Sequence, residues 1–567
     1  MKDILQKHFG YTDFHPLQEE IINDVLEHRD VLVLMPTGGG KSLCYQLPAV
    51  MKDGLTVVIS PLISLMKDQV DDLQSIGISA TSINSTMDYG EIAEIKSRLT
   101  EKRIKLLYVA PERIMLPDFF YFLQQLNVNL IAVDEAHCIS EWGHDFRPEY
   151  RKLNLLKVNF PKVPLIALTS TAILQVQNDI VKQLNMSCPK IYRGSLNRKN
   201  LFYQIRPKKE MYPRLLQYIK NHPKDSGIIY CQSRKSVDNL ADKLRKDGIR
   251  ALPYHAGLTC EVRNENQEKF IRDDVEIIAA TIAFGMGIDK SNVRYVIHCD
   301  MPKSIEGYYQ ETGRAGRDGL KSDCILFFSY GDKFKHEYFI KQIADEKYQE
   351  IAYKKMWDMI NFCTGNSCRR KTLLNYFGEK YDIPNCGMCS ICVPPEKIEV
   401  ASYQKPEPEP VISETQKTVE SDYFRCDRKL FEILRVLRKE IADKERMPPY
   451  IVFSDVALKE MSTLCPQNLE SFRKIKGVGD IKLKKYGNLF LEKITVYCKN
   501  DNIKPKPYFV DDLRERHPSA YKKWTKEEEQ RLLSEYNNGK TIRELAELLG
   551  RQPGGIRSRL RKLNIIL

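Results

Sequence analysis

Met35-Pro36-Thr37-Gly38-Gly39-Gly40-Lys41-Ser42 follows the apolar run Val31–Leu34, and further along Asp134-Glu135-Ala136-His137 follows Leu130-Ile131-Ala132-Val133. Each segment places polar chemistry at the end of a buried strand. Consecutive glycines let backbone N–H groups wrap phosphate oxygens at a helix N-terminus, where the dipole favours an anion. Thr37, Gly38, Gly39 and Gly40 are therefore read as a phosphate cradle, with Lys41 as the cation for the terminal phosphates and Ser42 as a hydroxyl for Mg²⁺. Asp134 is placed to hold the same Mg²⁺, and Glu135 to orient or deprotonate an attacking water. The paired segments predict nucleoside triphosphate hydrolysis. Met35 departs from the pattern, which usually begins with glycine.

Outward from these segments, short apolar strands alternate with amphipathic stretches. Val31–Met35, Leu55–Ser60, Leu106–Ala110, Leu130–Asp134 and Leu165–Thr169 form a first series, and Gly227–Cys231, Glu276–Ala280, Val293–His298 and Cys324–Phe328 a second. This order predicts an α/β fold with two tandem parallel-sheet lobes whose ligands lie at the carboxyl ends of the strands. The boundaries read as 1–196 and 197–343 for the lobes. A helical, cysteine-bearing subdomain spans 344–393 and a linker rich in Pro and Glu spans 394–422. A helical segment spans 423–500, a second linker 501–520 and a three-helix pattern 521–567. With 567 residues, several cores are needed.

Lys and Arg exceed Asp and Glu by 13, which points to a polyanionic partner, nucleic acid by default. No signal-peptide core and no apolar run of membrane-spanning length is present, so no membrane partner and a cytoplasmic location are expected, with nucleoid association if the source is bacterial. A monomer is the default expectation, and protein partners are not legible. Of the 15 cysteines most are scattered singly. The cluster Cys368, Cys386, Cys389 and Cys392 has the spacing Cys-x17-Cys-x2-Cys-x2-Cys, in which four thiolates close a structural Zn²⁺ site. Cys363 is a spare. In the second lobe, Gln310-Glu311-Thr312-Gly313-Arg314-Ala315-Gly316-Arg317 sets two arginines one turn apart if helical, with small residues that permit close approach, suited to delivering an arginine finger across a cleft.

Taken together these motifs resemble the RecQ family of superfamily 2 DNA helicases over residues 1–392. The resemblance implies that Tyr11 stacks on adenine and Gln18 reads its edge, although His15 and Leu17 depart from the family's Arg and Gly. It implies that Ser60–Gln69 touches the DNA backbone, that Thr169–Ala172 couples the lobes, and that Tyr230–Arg234 and Ala280–Lys290 serve DNA and nucleotide. Cys138–Pro148 resembles the family's aromatic-rich loop, in which Trp142, His144, Phe146 and Arg147 would meet single-stranded DNA by stacking at about 1–3 kcal/mol per base. Lys41, Asp134, Glu135, Gln310, Arg314 and Arg317 would carry the catalysis.

The family often carries a winged helix after the zinc site. Only the linker separates Cys392 from Leu430–Arg435, where an HRDC-like pattern begins, so that module is expected to be missing. Residues 521–567 resemble a Myb-like helix-turn-helix in which Trp524-Thr525 caps a helix and Arg557, Arg559, Arg561 and Lys562 line a basic face. The implied activity is ATP- and Mg²⁺-dependent 3′→5′ translocation along single-stranded DNA that unwinds duplex DNA, with single-stranded and forked duplex DNA as partners, in recombination and repair. A translocase that remodels protein–DNA complexes without unwinding, and an ATP-gated DNA-binding regulator, remain open on residues alone.

Overall fold

The computed structural model describes residues 1–393 except 85–86, 144–145 and 286–289, residues 426–500 except 446, and residues 525–567 except 538–539, 552–555, 558, 561–562 and 564–567. The first sheet contains β1 (Val31–Leu34), β2 (Leu55–Ile59), β3 (Ala80–Ile83), β4 (Leu106–Val109), β5 (Val128–Val133), β6 (Leu165–Thr169) and β7 (Lys190–Arg193). They are ordered β3-β4-β2-β5-β6-β1-β7, all parallel. The second contains β8 (Leu201–Pro207), β9 (Ser226–Tyr230), β10 (Ala251–Tyr254), β11 (Ile277–Ala280), β12 (Val293–His298) and β13 (Ser322–Phe328), ordered β10-β11-β9-β12-β13-β8 and again parallel.

Parallel sheets need both faces covered, and each has an apolar cluster on either side. The central strands β1, β2, β4 and β6 are buried at every position, which is why they read as uninterrupted apolar runs. Four strands absent from the sequence reading, β3, β7, β8 and β10, are the edge strands of the two sheets. Their sequences, Ala-Thr-Ser-Ile in β3 and Lys-Ile-Tyr-Arg in β7 among them, carry polar groups because an edge has solvent on one side.

The free edge of β8 is partly covered by the cysteine segment. Tyr203 N donates to Met388 O at 3.2 Å and Ser390 N to Tyr203 O at 2.9 Å. After residue 426 the described elements are helical: Arg428–Glu445, Pro449–Val452, Asp455–Leu464, Leu469–Arg473, Asp480–Asn500, Lys526–Asn537 and Ile542–Leu548. The last two enclose a small core of Leu532, Leu545, Ala546, Leu549, Ile556 and Leu560. No helix among the described residues is long and apolar enough to cross a membrane.

Candidate active site and zinc centre

The loop after β1 turns on Gly38 (φ +78°) and Gly40 (φ +76°), a conformation that L side chains rarely adopt, and passes into the helix Leu43–Met51 with Ser42 as its N-cap. Gly39 lacks room for another reason, since a Cβ there would lie 2.9 Å from Pro36 O. Lys41 Nζ donates to Met35 O and Pro36 O at 3.1 and 3.2 Å. Gln18, buried, holds this loop from behind: its Nε2 donates to Gly40 O at 2.9 Å while its Oε1 accepts from His15 N at 2.9 Å. Both amide atoms are thus engaged within the protein, whereas Tyr11 is about half exposed at 46%.

Asp134 and Glu135 leave β5 at the carboxyl edge of the sheet. Asp134 N donates to Ile59 O, and Asp134 Oδ1 accepts from Glu135 N at 2.9 Å. Glu135 sits at φ +48°, a strained left-handed position for a non-glycine residue, which turns the chain sharply at the acidic pair. Burial, and the Glu135 charge beside it, push the Asp134 carboxyl up to about 7, with Lys41 opposing. This carboxylate is short of positive charge. A hard cation with oxygen ligands fits, Asp134 and the Ser42 hydroxyl being donors of the type Mg²⁺ takes.

His137 Nδ1 lies 3.0 Å from Thr169 Oγ1 and 3.2 Å from Glu135 Oε2, tying the acidic pair to the end of β6. Burial disfavours charge on this imidazole. Cys138 and Glu135 overcome that and raise it to about 10.

The second lobe meets the phosphate loop directly. The helix Ile305–Thr312 ends before the arginines, so Arg314 and Arg317 lie in the turns that follow it and not on a helical face, with Gly316 at φ +56°. The sequence sets them one turn apart if helical; the helix instead stops at Thr312, with Gly313 as its C-cap, before either arginine. Arg314 is buried, and Arg317 is partly buried. A Cβ on Gly38 would lie 3.4 Å from both Arg317 Cα and Arg317 O, and one on Gly313 would lie 3.3 Å from Thr37 Oγ1. Gln310 lies in the last turn of that helix, partly buried.

Beyond the acidic pair, Trp142 packs half-buried against the first-lobe core, and Phe146 lies under the Arg151 guanidinium at 5.1 Å. Arg147 Nη1 donates to Pro61 O at 2.8 Å, which links this loop to the segment after β2. Lys355, from the helix Glu346–Thr364, donates to Trp142 O and Gly143 O at 3.0 and 3.2 Å, and Lys347 lies 5.3 Å from the Trp142 ring. His144 and the motif residues 286–289 lie outside the described residues.

The sulfurs of Cys368, Cys386, Cys389 and Cys392 lie within 4.8 Å of one another. Gly387 (φ +61°) bends the Cys-x2-Cys knuckle so that Met388 N donates to Cys386 Sγ and Cys386 N to Cys392 Sγ, both at 3.4 Å. Burial works against a charged Cys389, but the amides of Cys392, Arg369 and Ile391 prevail and hold it low, near 7. Four convergent thiols with amide support fit Zn²⁺ with no open position. Cys363 is buried elsewhere.

In the terminal helices, Thr525 and Glu528 form a reciprocal cap, while Trp524 lies outside the described residues. Arg557 is exposed. Arg559 is ion-paired with Glu529, and Arg561 and Lys562 lie outside the described residues.

Arg198 and Lys355 escaped the sequence reading. Arg198 lies in the polar run Asn197-Arg198-Lys199-Asn200 between the two sheets, and that run at a lobe junction was the available signal.

Two parallel-sheet lobes with a phosphate loop on one and an arginine-bearing turn against it on the other define a helicase-type nucleotide motor. Residues 15–180 match the DEAD/DEAH box helicase family and 208–319 the helicase conserved C-terminal domain. Residues 330–393 match RecQ zinc-binding and 427–494 the HRDC domain. The chain is 38% identical to the ATP-dependent DNA helicase RecQ of Haemophilus influenzae, over 86% of this chain and 94% of that protein. Against the Bacillus subtilis protein of the same name identity is 39%, over 88% and 99%. With the RecQ-like DNA helicase BLM of Xenopus laevis it is 47%, over 68% of this chain and 29% of that one. The chain belongs to the RecQ family.

Proposed function

We propose that this RecQ-family chain is an ATP-dependent DNA helicase that moves 3′→5′ along single-stranded DNA and separates forked duplexes in recombination and repair, working as a monomer. The observation that carries the reading is the packing of Arg317 backbone on Gly38, which makes one cleft of residues from both lobes. In this reading the backbone of Thr37–Gly40 and the Lys41 ammonium bind the ATP phosphates, and Tyr11 packs on the base. Gln18 reads the edge of the base with its remaining amide capacity and, through Gly40, fixes the phosphate loop. Mg²⁺ held by Ser42 and Asp134 supplies charge neutralisation when bound. Glu135 takes the proton of the attacking water, Gln310 helps position it, and Arg314 and Arg317 offset charge that develops on the transferring phosphate.

The domain division given by the sequence, with lobes meeting near residue 197, is adopted with it. Trp142, Phe146 and Arg147, with His144, are read as the DNA-sensing loop, one residue run away from Glu135 and His137. The terminal helices add backbone affinity through Arg557, with no sequence preference.

Trp142→Ala is expected to lower DNA-stimulated turnover about tenfold, roughly 1.4 kcal/mol, while turnover without DNA stays within about twofold. Steady-state phosphate release with and without oligonucleotide measures this, and equal loss in both conditions would remove the loop from DNA sensing. The function itself is tested on a forked duplex labelled on one strand. With ATP the strands should separate. An intact fork in the presence of brisk DNA-stimulated hydrolysis would favour a remodelling translocase.

A further inference from the structure

The connector between the lobes carries a guanidinium that touches both halves of the cleft. Arg198 Nη1 donates to Thr37 O at 2.5 Å and to Gly313 O at 3.3 Å, and its Nη2 donates to Ala315 O at 2.9 Å and Gly316 O at 2.7 Å. Thr37 immediately precedes the first glycine of the phosphate loop, and Gly316 immediately precedes Arg317. Four backbone carbonyls, one from the first lobe and three from the second, therefore share one planar fork. Asn200 Nδ2 braces the same turn by donating to Gly316 O and Leu320 O, each at 2.8 Å.

The connector is in turn gripped by the cysteine-bearing subdomain. Arg370, two residues after Cys368 and buried, donates through Nη1 to Asn197 Oδ1 at 2.6 Å and Arg198 O at 2.7 Å, and through Nη2 to Leu201 O at 2.6 Å. Glu379 accepts from Ser195 Oγ at 2.5 Å and Leu196 N at 2.6 Å.

We infer that Arg198 is a positioning residue for ATP cleavage: it sets the distance between the phosphate loop and the arginine-bearing turn, and Arg370 transmits the placement of the zinc subdomain to it. This rests on the helicase reading above. The guanidinium is spent on carbonyls, so it acts on the geometry of the cleft and not on phosphate. A lysine cannot replace it, because one ammonium has no planar fork to span four carbonyls. Misplacing reacting groups by about 1 Å costs on the order of 100-fold in rate.

The test uses the full-length zinc-loaded chain as wild type, Arg198→Ala, Arg198→Lys, Arg370→Ala and the double variant Arg198→Ala/Arg370→Ala. Single-stranded-DNA-stimulated kcat and KM for ATP, affinity for a fluorescent ATP analogue, zinc content and thermal unfolding are measured. Arg198→Ala should lose about 30- to 100-fold in kcat with KM and analogue affinity within about threefold. Arg198→Lys, which keeps the charge and most of the stem, should stay close to Arg198→Ala in kcat while unfolding at the wild-type temperature. Arg370→Ala should lose less, and the double variant should be no slower than Arg198→Ala.

Wild-type kcat in Arg198→Ala, full rescue by lysine, or a loss of analogue affinity matching the loss of kcat would overturn the positioning role. Losses that multiply in the double variant would overturn the relay through Arg370. Failure of the helicase reading is seen separately, as wild-type turnover that ignores DNA.

Discussion

Lys41→Ala is expected to reduce ATP hydrolysis by on the order of 10²–10³-fold, about 2.7–4 kcal/mol, because on the proposed reading it deletes the side-chain cation that the phosphate loop offers to the terminal phosphates. Affinity for single-stranded DNA should stay within about threefold, under roughly 0.7 kcal/mol. The reason is spatial: Lys41 lies against Met35 O and Pro36 O at the start of the glycine turn, whereas the candidate DNA loop runs from Trp142 to Arg147 and anchors on Pro61 O. Phosphate release and fluorescence anisotropy on the same preparation check the two halves. Equal loss of both would mean that DNA binding depends on the loaded cleft.

Zinc removal should have the second large effect. A chelator, or Cys389→Ser, takes away the ion around which Cys368, Cys386, Cys389 and Cys392 converge, and structural zinc is a folding term for the segment that binds it. The knuckle Cys386–Cys392 would release the β8 edge, where Tyr203 pairs with Met388 and Ser390. Arg370 and Glu379 would lose the framework that presents them to the lobe connector. Limited proteolysis should then cut between residues 368 and 393, and turnover should fall at least about tenfold, roughly 1.4 kcal/mol. Metal analysis on the intact chain should give one tightly held Zn²⁺. A zinc-free chain with unchanged protease resistance and turnover would contradict the structural role.

The sequence made the centre of each sheet legible and not its edges. Strands such as Val31–Leu34 are buried on both faces, and a continuous apolar run follows from that requirement. Lys190–Arg193 and Ala80–Ile83 carry the same backbone pairing with solvent on one side, so their side chains hide it. The phosphate loop and the acidic pair were readable because each packs its chemistry into consecutive residues, and Cys386, Cys389 and Cys392 because they share one short stretch.

Contacts assembled from distant segments were not. Gln18 meets Gly40 O only after the helix Gln18–Leu26 packs beside β1, and Arg198 meets Thr37 O only once the second sheet has closed on the first. The strained φ of Glu135 belongs to the same group, since a turn forced by tertiary placement has no glycine to announce it. The arginines of residues 314–317 were recognisable as a pair, but the break in the helix at Gly313 decided where they point.

The central claim is that ATP is cleaved between the lobes with help from the second one. Arg317→Ala measures it most directly, by pre-steady-state ATP turnover in saturating single-stranded DNA beside equilibrium binding of a nucleotide analogue. The account predicts a fall in the cleavage rate of on the order of 10²–10³-fold with analogue affinity within about threefold. Wild-type cleavage by that variant would contradict it, because the first lobe would then be carrying out the chemistry alone.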